Sequence, residues 1–134
     1  MKALFVGSKS LFDGSSLATS TSGLFCYRAP QGTAEPFVVY EIISGPCETD
    51  SDSRDERPLI QFSIWSDKKS PSDVIDLFDE FIGVFDDADI TVSSGNVVSC
   101  IREDQRLTEE TDDDGNRIGW QYQADYRFLY ETDR

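Results

Sequence analysis

Residues 70–85 read Ser-Pro-Ser-Asp-Val-Ile-Asp-Leu-Phe-Asp-Glu-Phe-Ile-Gly-Val-Phe. Ser70 carries the hydroxyl of a helix cap, Pro71 suits the first helical position, and Asp73 complements the positive end of the helix dipole. Val74, Leu77, Phe78, Phe81, Ile82 and Phe85 then fall at i, i+3, i+4, i+7, i+8 and i+11. That spacing makes one apolar stripe about four turns long, with Asp76, Asp79 and Glu80 on the wet face. Gly83 weakens the last turn, and Asp86-Asp87 end it. Such a helix needs an apolar surface to cover, and the segments on either side read as the strands that supply it.

On the N-terminal side, Pro58 opens Leu59–Ser66. There Ile60, Phe62 and Ile64 point one way and Gln61 and Ser63 the other, the pattern of a half-buried strand. Upstream, Cys47–Arg57 (CETDSDSRDER) is polar, charged and without periodicity, and reads as a mobile loop. Phe37–Ser44 is rich in β-branched and aromatic residues and bounded by Pro36 and Gly45-Pro46, so it reads as a strand covered on both faces. Leu24–Tyr27 is a shorter strand. Residues 1–23 read as a weakly ordered segment whose helix-like start is interrupted by Gly7 and Gly14. Its first residues imitate a secretory signal only briefly, because Lys9 and Asp13 follow closely, so the reading is structural rather than targeting.

On the C-terminal side, Ile90-Thr91-Val92 reads as a short strand, Ser94-Gly95-Asn96 as a turn, and Val97–Arg106 as a further strand. Glu109–Asn116 (EETDDDGN) reads as a hairpin tip, with Asp114-Gly115 supplying the positive-φ positions such loops need. The last strand alternates: Ile118, Trp120, Tyr122, Ala124, Tyr126, Phe128 and Tyr130 on one face, Gln121, Gln123, Asp125, Arg127 and Glu131 mostly on the other. The expected fold is therefore α+β: a two-layer sandwich of an antiparallel or mixed sheet on one main amphipathic helix, with room for a short N-terminal helix. Residues 1–134 read as a single domain, with no internal repeat or linker.

With 134 residues, 26 Asp and Glu against 12 Lys and Arg, and no His, the chain carries a formal charge of −14. Such a surface repels phosphates, so gripping nucleic acid is excluded as a general mode. Cys26, Cys47 and Cys100 are widely spaced and lack any CxxC, which removes the usual zinc site and indicates reduced thiols and a cytoplasmic birthplace. No apolar run approaches the roughly 18 residues of a membrane span.

The residues also point away from catalysis. The commonest general base near neutral pH is missing, and there is no GxSxG elbow and no Gly-rich phosphate loop. The many carboxylate pairs are what a solvated acidic face gives. Asp112, Asp114 and Gly115 fit positions 3, 5 and 6 of an EF-hand loop. Glu110 and Gln121 fail at positions 1 and 12, however, and a strand follows where a helix should. A hairpin tip is the better account. The aromatic face of the last strand could stack bases or sugars, but only Arg127 is near it, so core is the better account there too. No cofactor and no metal are expected.

Several segments, taken in order, resemble the tail-completion proteins of long-tailed phages, also called tail terminators or tail-to-head joining proteins. They are Tyr27-Arg28-Ala29-Pro30-Gln31-Gly32, Pro36–Gly45 with its Phe37-Val38-Val39-Tyr40 strand, and Ile60-Gln61-Phe62-Ser63-Ile64-Trp65-Ser66. The helix after Ser70, the arginine-bearing strand Arg102–Arg106 and the aromatic strand around Tyr126-Arg127-Phe128 complete the resemblance, which spans about residues 24–130. Two departures stand out: the broken N-terminal helix and the unusually acidic hairpin tip.

The resemblance implies a non-enzymatic virion subunit, made in the host cytoplasm and placed in the tail at the head–tail neck. It implies a ring, commonly a hexamer, with three partners: other copies of the chain, the tail tube protein, and a head-completion or stopper protein. DNA would pass through without specific binding, and no membrane is involved. The polar loops are then the expected assembly interface: Glu48, Asp50, Asp52, Arg54, Asp55 and Glu56 in one, Glu109, Glu110, Asp112, Asp113 and Asp114 in the other. The charge leaves open a different class, an acidic DNA-mimic inhibitor or adaptor that fills a basic protein groove, but here the acids are scattered rather than laid along one helix face. A metal-dependent hydrolase would need a bound divalent ion.

Overall fold

The computed structural model describes residues 2–45, 47–49, 53–68 and 70–133. The fold is mixed α and β and dominated by sheet, with 44% of the chain in strands. In chain order the elements are α1 (Lys2–Asp13), α2 (Leu17–Ser20), β1 (Leu24–Cys26), β2 (Phe37–Ser44), β3 (Cys47–Thr49), β4 (Ser53–Glu56), β5 (Leu59–Ser66), α3 (Ser72–Phe85), β6 (Asn96–Thr111) and β7 (Arg117–Asp133). Among the described residues the strands form one curled seven-stranded sheet. β7 is its spine: β6 pairs along one edge, and β5 and then β4 pair along the other. β2 lies beyond β5 and β1 beyond β2, parallel to it.

The alternation of β5 and β7 decides which face meets the helices. Ile60, Phe62 and Ile64 lie in register with Tyr126, Ala124 and Tyr122, all facing α3. The α3 stripe closes on them: Val74, Phe78, Phe81 and Phe85 are buried. Phe62 lies 5.0 Å from both Phe81 and Phe85, and Phe78 stacks on Tyr122 at 3.9 Å. Burial of these rings is the main favourable term in the fold. At the entry the helix begins at Ser72, one residue later than expected, so Pro71 rather than Ser70 takes the cap position without a side-chain bond, and the Ser70 hydroxyl accepts from the Ser72 N–H at 3.2 Å. At the exit, Asp86 Oδ1 accepts from the Tyr126 hydroxyl at 2.6 Å, while Asp86 Oδ2 lies 3.1 Å from Arg102.

Four local readings are corrected. The N-terminal segment makes a full helix, α1, with Leu4 and Phe12 fully buried, so helical cover comes from α1 as well as α3. Gly7, which counts against a helix on propensity, is required there: a Cβ at that position would lie 2.6 Å from the Thr91 carbonyl oxygen. The same contact explains why Ile90-Thr91-Val92 is not a strand, because it runs as irregular chain against α1 with Ile90 buried. Cys47–Arg57 is not simply a loop. β3 and β4 form a hairpin that joins the sheet through the backbone of β7 residues 130–133, a pairing that needs no apolar side-chain pattern. Ile118, expected in the core, is 57% exposed because β6 and β7 run on past the end of α3.

Candidate functional site

Three surfaces stand apart from the core. The first is the outer half of the β6–β7 hairpin. Strand pairing continues to Thr111↔Arg117, yet residues 103–118 are exposed apart from the half-buried Glu110. The tip closes around Asp112. Its carboxylate accepts from the N–H groups of Asp114 at 3.0 Å and Asn116 at 2.9 Å, and Gly115 takes φ +82°. That carboxylate is therefore engaged in shaping the turn. Among the described residues no cluster of three or more Asp, Glu or Cys is arranged to hold a metal ion. Below the tip, Arg117 pairs with Glu109 at 3.1 Å and sits over the Trp120 ring. Glu109, Glu110, Asp112, Asp113 and Asp114 are thus brought together on one projecting arm.

The other acidic group is distributed differently. Glu48 and Arg54 lie in β3 and β4, and Asp55 and Glu56 follow in β4 opposite Glu131 and Tyr130. Asp50 and Asp52 lie outside the described residues. The two groups flank β7 from opposite edges and do not form one patch by strand register.

The second surface is the sheet face turned away from the helices. Residues 27–35 arch over it and enclose a groove of 510 Å³ whose walls include Tyr27, Arg28, Glu35, Phe37, Trp65 and Gln121. Beside its wall residue Glu41 runs a polar network on the sheet. Gln61, with its amide turned to match its neighbours, donates to Glu41 Oε1 at 3.0 Å and accepts from Arg106 Nη2. Arg106 also lies 3.6 Å from Asp125 Oδ2. Burial, helped by the nearby Asp67 charge, pushes the Glu35 carboxyl above the ordinary carboxylate value.

The third surface is an open groove of 520 Å³ between α1 and β1, at the sheet edge opposite the arm. Phe5, Val6, Leu24, Phe25 and Tyr40 make it apolar, and Lys2 and Lys9 stand at its rim. Val6 is 53% exposed. Burial first, and then the hydrogen bond with Cys26, pushes the Tyr40 hydroxyl up to about 12.

No family model matches the chain, and no curated protein matches it. A solved structure does. A chain in the structure described as "Virion of native gene transfer agent (GTA) particle" superposes with a TM-score of 0.75 and 12% identity, covering 99% of this chain and 96% of that one. At that identity the likeness is one of fold.

The sequence reading located the acidic tip but neither groove. Each groove forms between segments distant in sequence, residues 27–35 over β2, β5 and β7 in one and α1 beside β1 in the other. The visible signal for the second is the placing of Lys2 and Lys9 around Phe5 and Val6 on an amphipathic turn, which Gly7 masks in the sequence.

Proposed function

We propose that this chain is a structural subunit of a phage-like virion, a tail terminator that rings the head-proximal end of a tail tube and joins it to the head-completion proteins. The observation that carries the reading is the whole-length likeness in fold to a chain of a gene transfer agent virion. The ordered motifs from Tyr27 to Phe128 supply the narrower role. The charge of −14 suits a channel wall past which DNA slides without sticking. The acidic residues of β3–β4 and of the β6–β7 arm are the assembly contacts in this reading, and no catalysis is required of the subunit.

Deleting the gene from a genome that produces such particles tests the role. The expected result is filled heads separate from tails, with tubes of uneven length, restored by supplying the chain in trans. Joined particles with tails of normal length in the deletion strain would overturn it. An acidic inhibitor, by contrast, would leave particle morphology intact and would form a salt-sensitive complex with a basic nucleic-acid-binding protein.

A further inference from the structure

The arm and the α1–β1 groove lie at opposite ends of one sheet. The strand path β1-β2-β5-β7 ends at β1 on one side, and β6 adds the last strand on the other. Five strands at a spacing of roughly 4.8 Å put these edges about 19 Å apart. The two surfaces are also complementary in kind. The arm presents Leu107 and Ile118 together with five carboxylates at its tip. The groove presents exposed Val6 and the rings of Phe5 and Phe25, with Lys2 and Lys9 at its rim.

We infer that the arm of one copy seats in the α1–β1 groove of the next, so that the chain assembles head to tail. The occupant is a second copy of this chain, for three reasons. First, beyond the Ser66↔Trp120 pair that ends β5 the arm is a two-stranded ribbon with residues 111–118 exposed, and such a ribbon is marginal without a third surface. Second, arm against arm would set five carboxylates against five, so the symmetric pairing is repelled and the unlike pairing is attracted. Third, unlike patches on opposite edges generate a heterologous contact, which closes into a ring when the rotation permits. The Lys9–Asp13 contact of 2.8 Å does not block the rim, because an exposed i,i+4 pair is weak and exchanges readily. The inference deepens the ring part of the proposed function by naming the two surfaces that meet.

Cys26 lines the groove and is exposed, whereas Cys100 is buried. The test is therefore disulfide trapping in a Cys47→Ser background that also carries Ile118→Cys. Mild oxidation of the concentrated chain, alone and with tail tubes, is expected to give a ladder of linked oligomers on a non-reducing gel. Adding Cys26→Ser should abolish the ladder. Lys2→Glu with Lys9→Glu should reduce it at least 10-fold, and combining that pair with Glu110→Lys and Asp113→Lys on the same chain should restore it. Rings by electron microscopy with no Cys26-dependent ladder would overturn this interface while leaving the ring reading standing. A chain that stays monomeric when concentrated, and neither rings nor binds tubes, would overturn both.

Discussion

The base and the outer half of the β6–β7 hairpin share one backbone pattern but have different surroundings. At the base, Val97 and Cys100 of β6 face Tyr130 and Phe128 of β7, and all four are buried. Tyr126 is completely enclosed and bonded to Asp86 at the end of α3. Ten residues further out, Leu107↔Tyr122 and Glu109↔Trp120 keep the register, yet Tyr122 and Trp120 are only partly buried against the core, and residues 111–118 are exposed. Strand pairing satisfies the main chain in both halves. The base adds most of the apolar burial, the term that stabilises a fold, and the tip adds none. The base holds the molecule together, and the arm is free to spend its surface on a partner.

The largest effect expected from substitutions lies at the base. Phe81→Ala removes a fully buried ring between Phe62, Phe85 and Tyr126 and should cost about 3–5 kcal/mol in urea unfolding. A loss below 1 kcal/mol would show that the base is not the packed region described. Gly7→Val should come next, at about 1–3 kcal/mol, because the new side chain meets the Thr91 carbonyl and the Ile90 and Val92 methyl groups. Tyr126→Phe should cost about 1 kcal/mol, the worth of one hydrogen bond whose acceptor keeps Arg102. On the arm, Glu110→Gln and Asp113→Asn should change stability by no more than about 0.5 kcal/mol, while weakening self-association measured by sedimentation. An arm variant that unfolds the protein would erase the contrast.

Thiol chemistry sharpens the same comparison. Burial pushes the Cys100 thiol up from 9.0 to about 12, and its Sγ–H donates to the Phe85 carbonyl at 3.2 Å. Iodoacetamide at pH 8 should label the exposed Cys26 and spare Cys100 until the base unfolds. The folded state holds that proton more tightly than the unfolded chain. The resulting stability is therefore intact below pH 9 and lost as pH rises toward 12. Alkaline titration of the unfolding midpoint should show that decline, and a flat profile would contradict it.

The base was largely legible in the sequence, because its signals are local and periodic. The stripe from Val74 to Phe85, the alternation of Ile60, Phe62 and Ile64, and that of Trp120 to Tyr130 each announce a face. What failed to show was decided at a distance. Gly7 reads as a helix breaker until Thr91 is seen against it. Ile90–Val92 reads as a strand because its residues are β-branched, but α1 takes the place a pairing partner would need. The β3–β4 hairpin has no apolar alternation because its pairing with β7 is main-chain bonding. Of the candidate site, the acidic tip was readable from Gly115, which takes the positive φ expected there, while Asp114 does not and Asp112 shapes the turn instead.

Imaging purified chain mixed with preformed tail tubes by electron microscopy tests the central claim most directly. The account predicts a ring of subunits on one end of each tube and an arrest of further tube growth. Tubes that stay bare at both ends and continue to lengthen in its presence would contradict it.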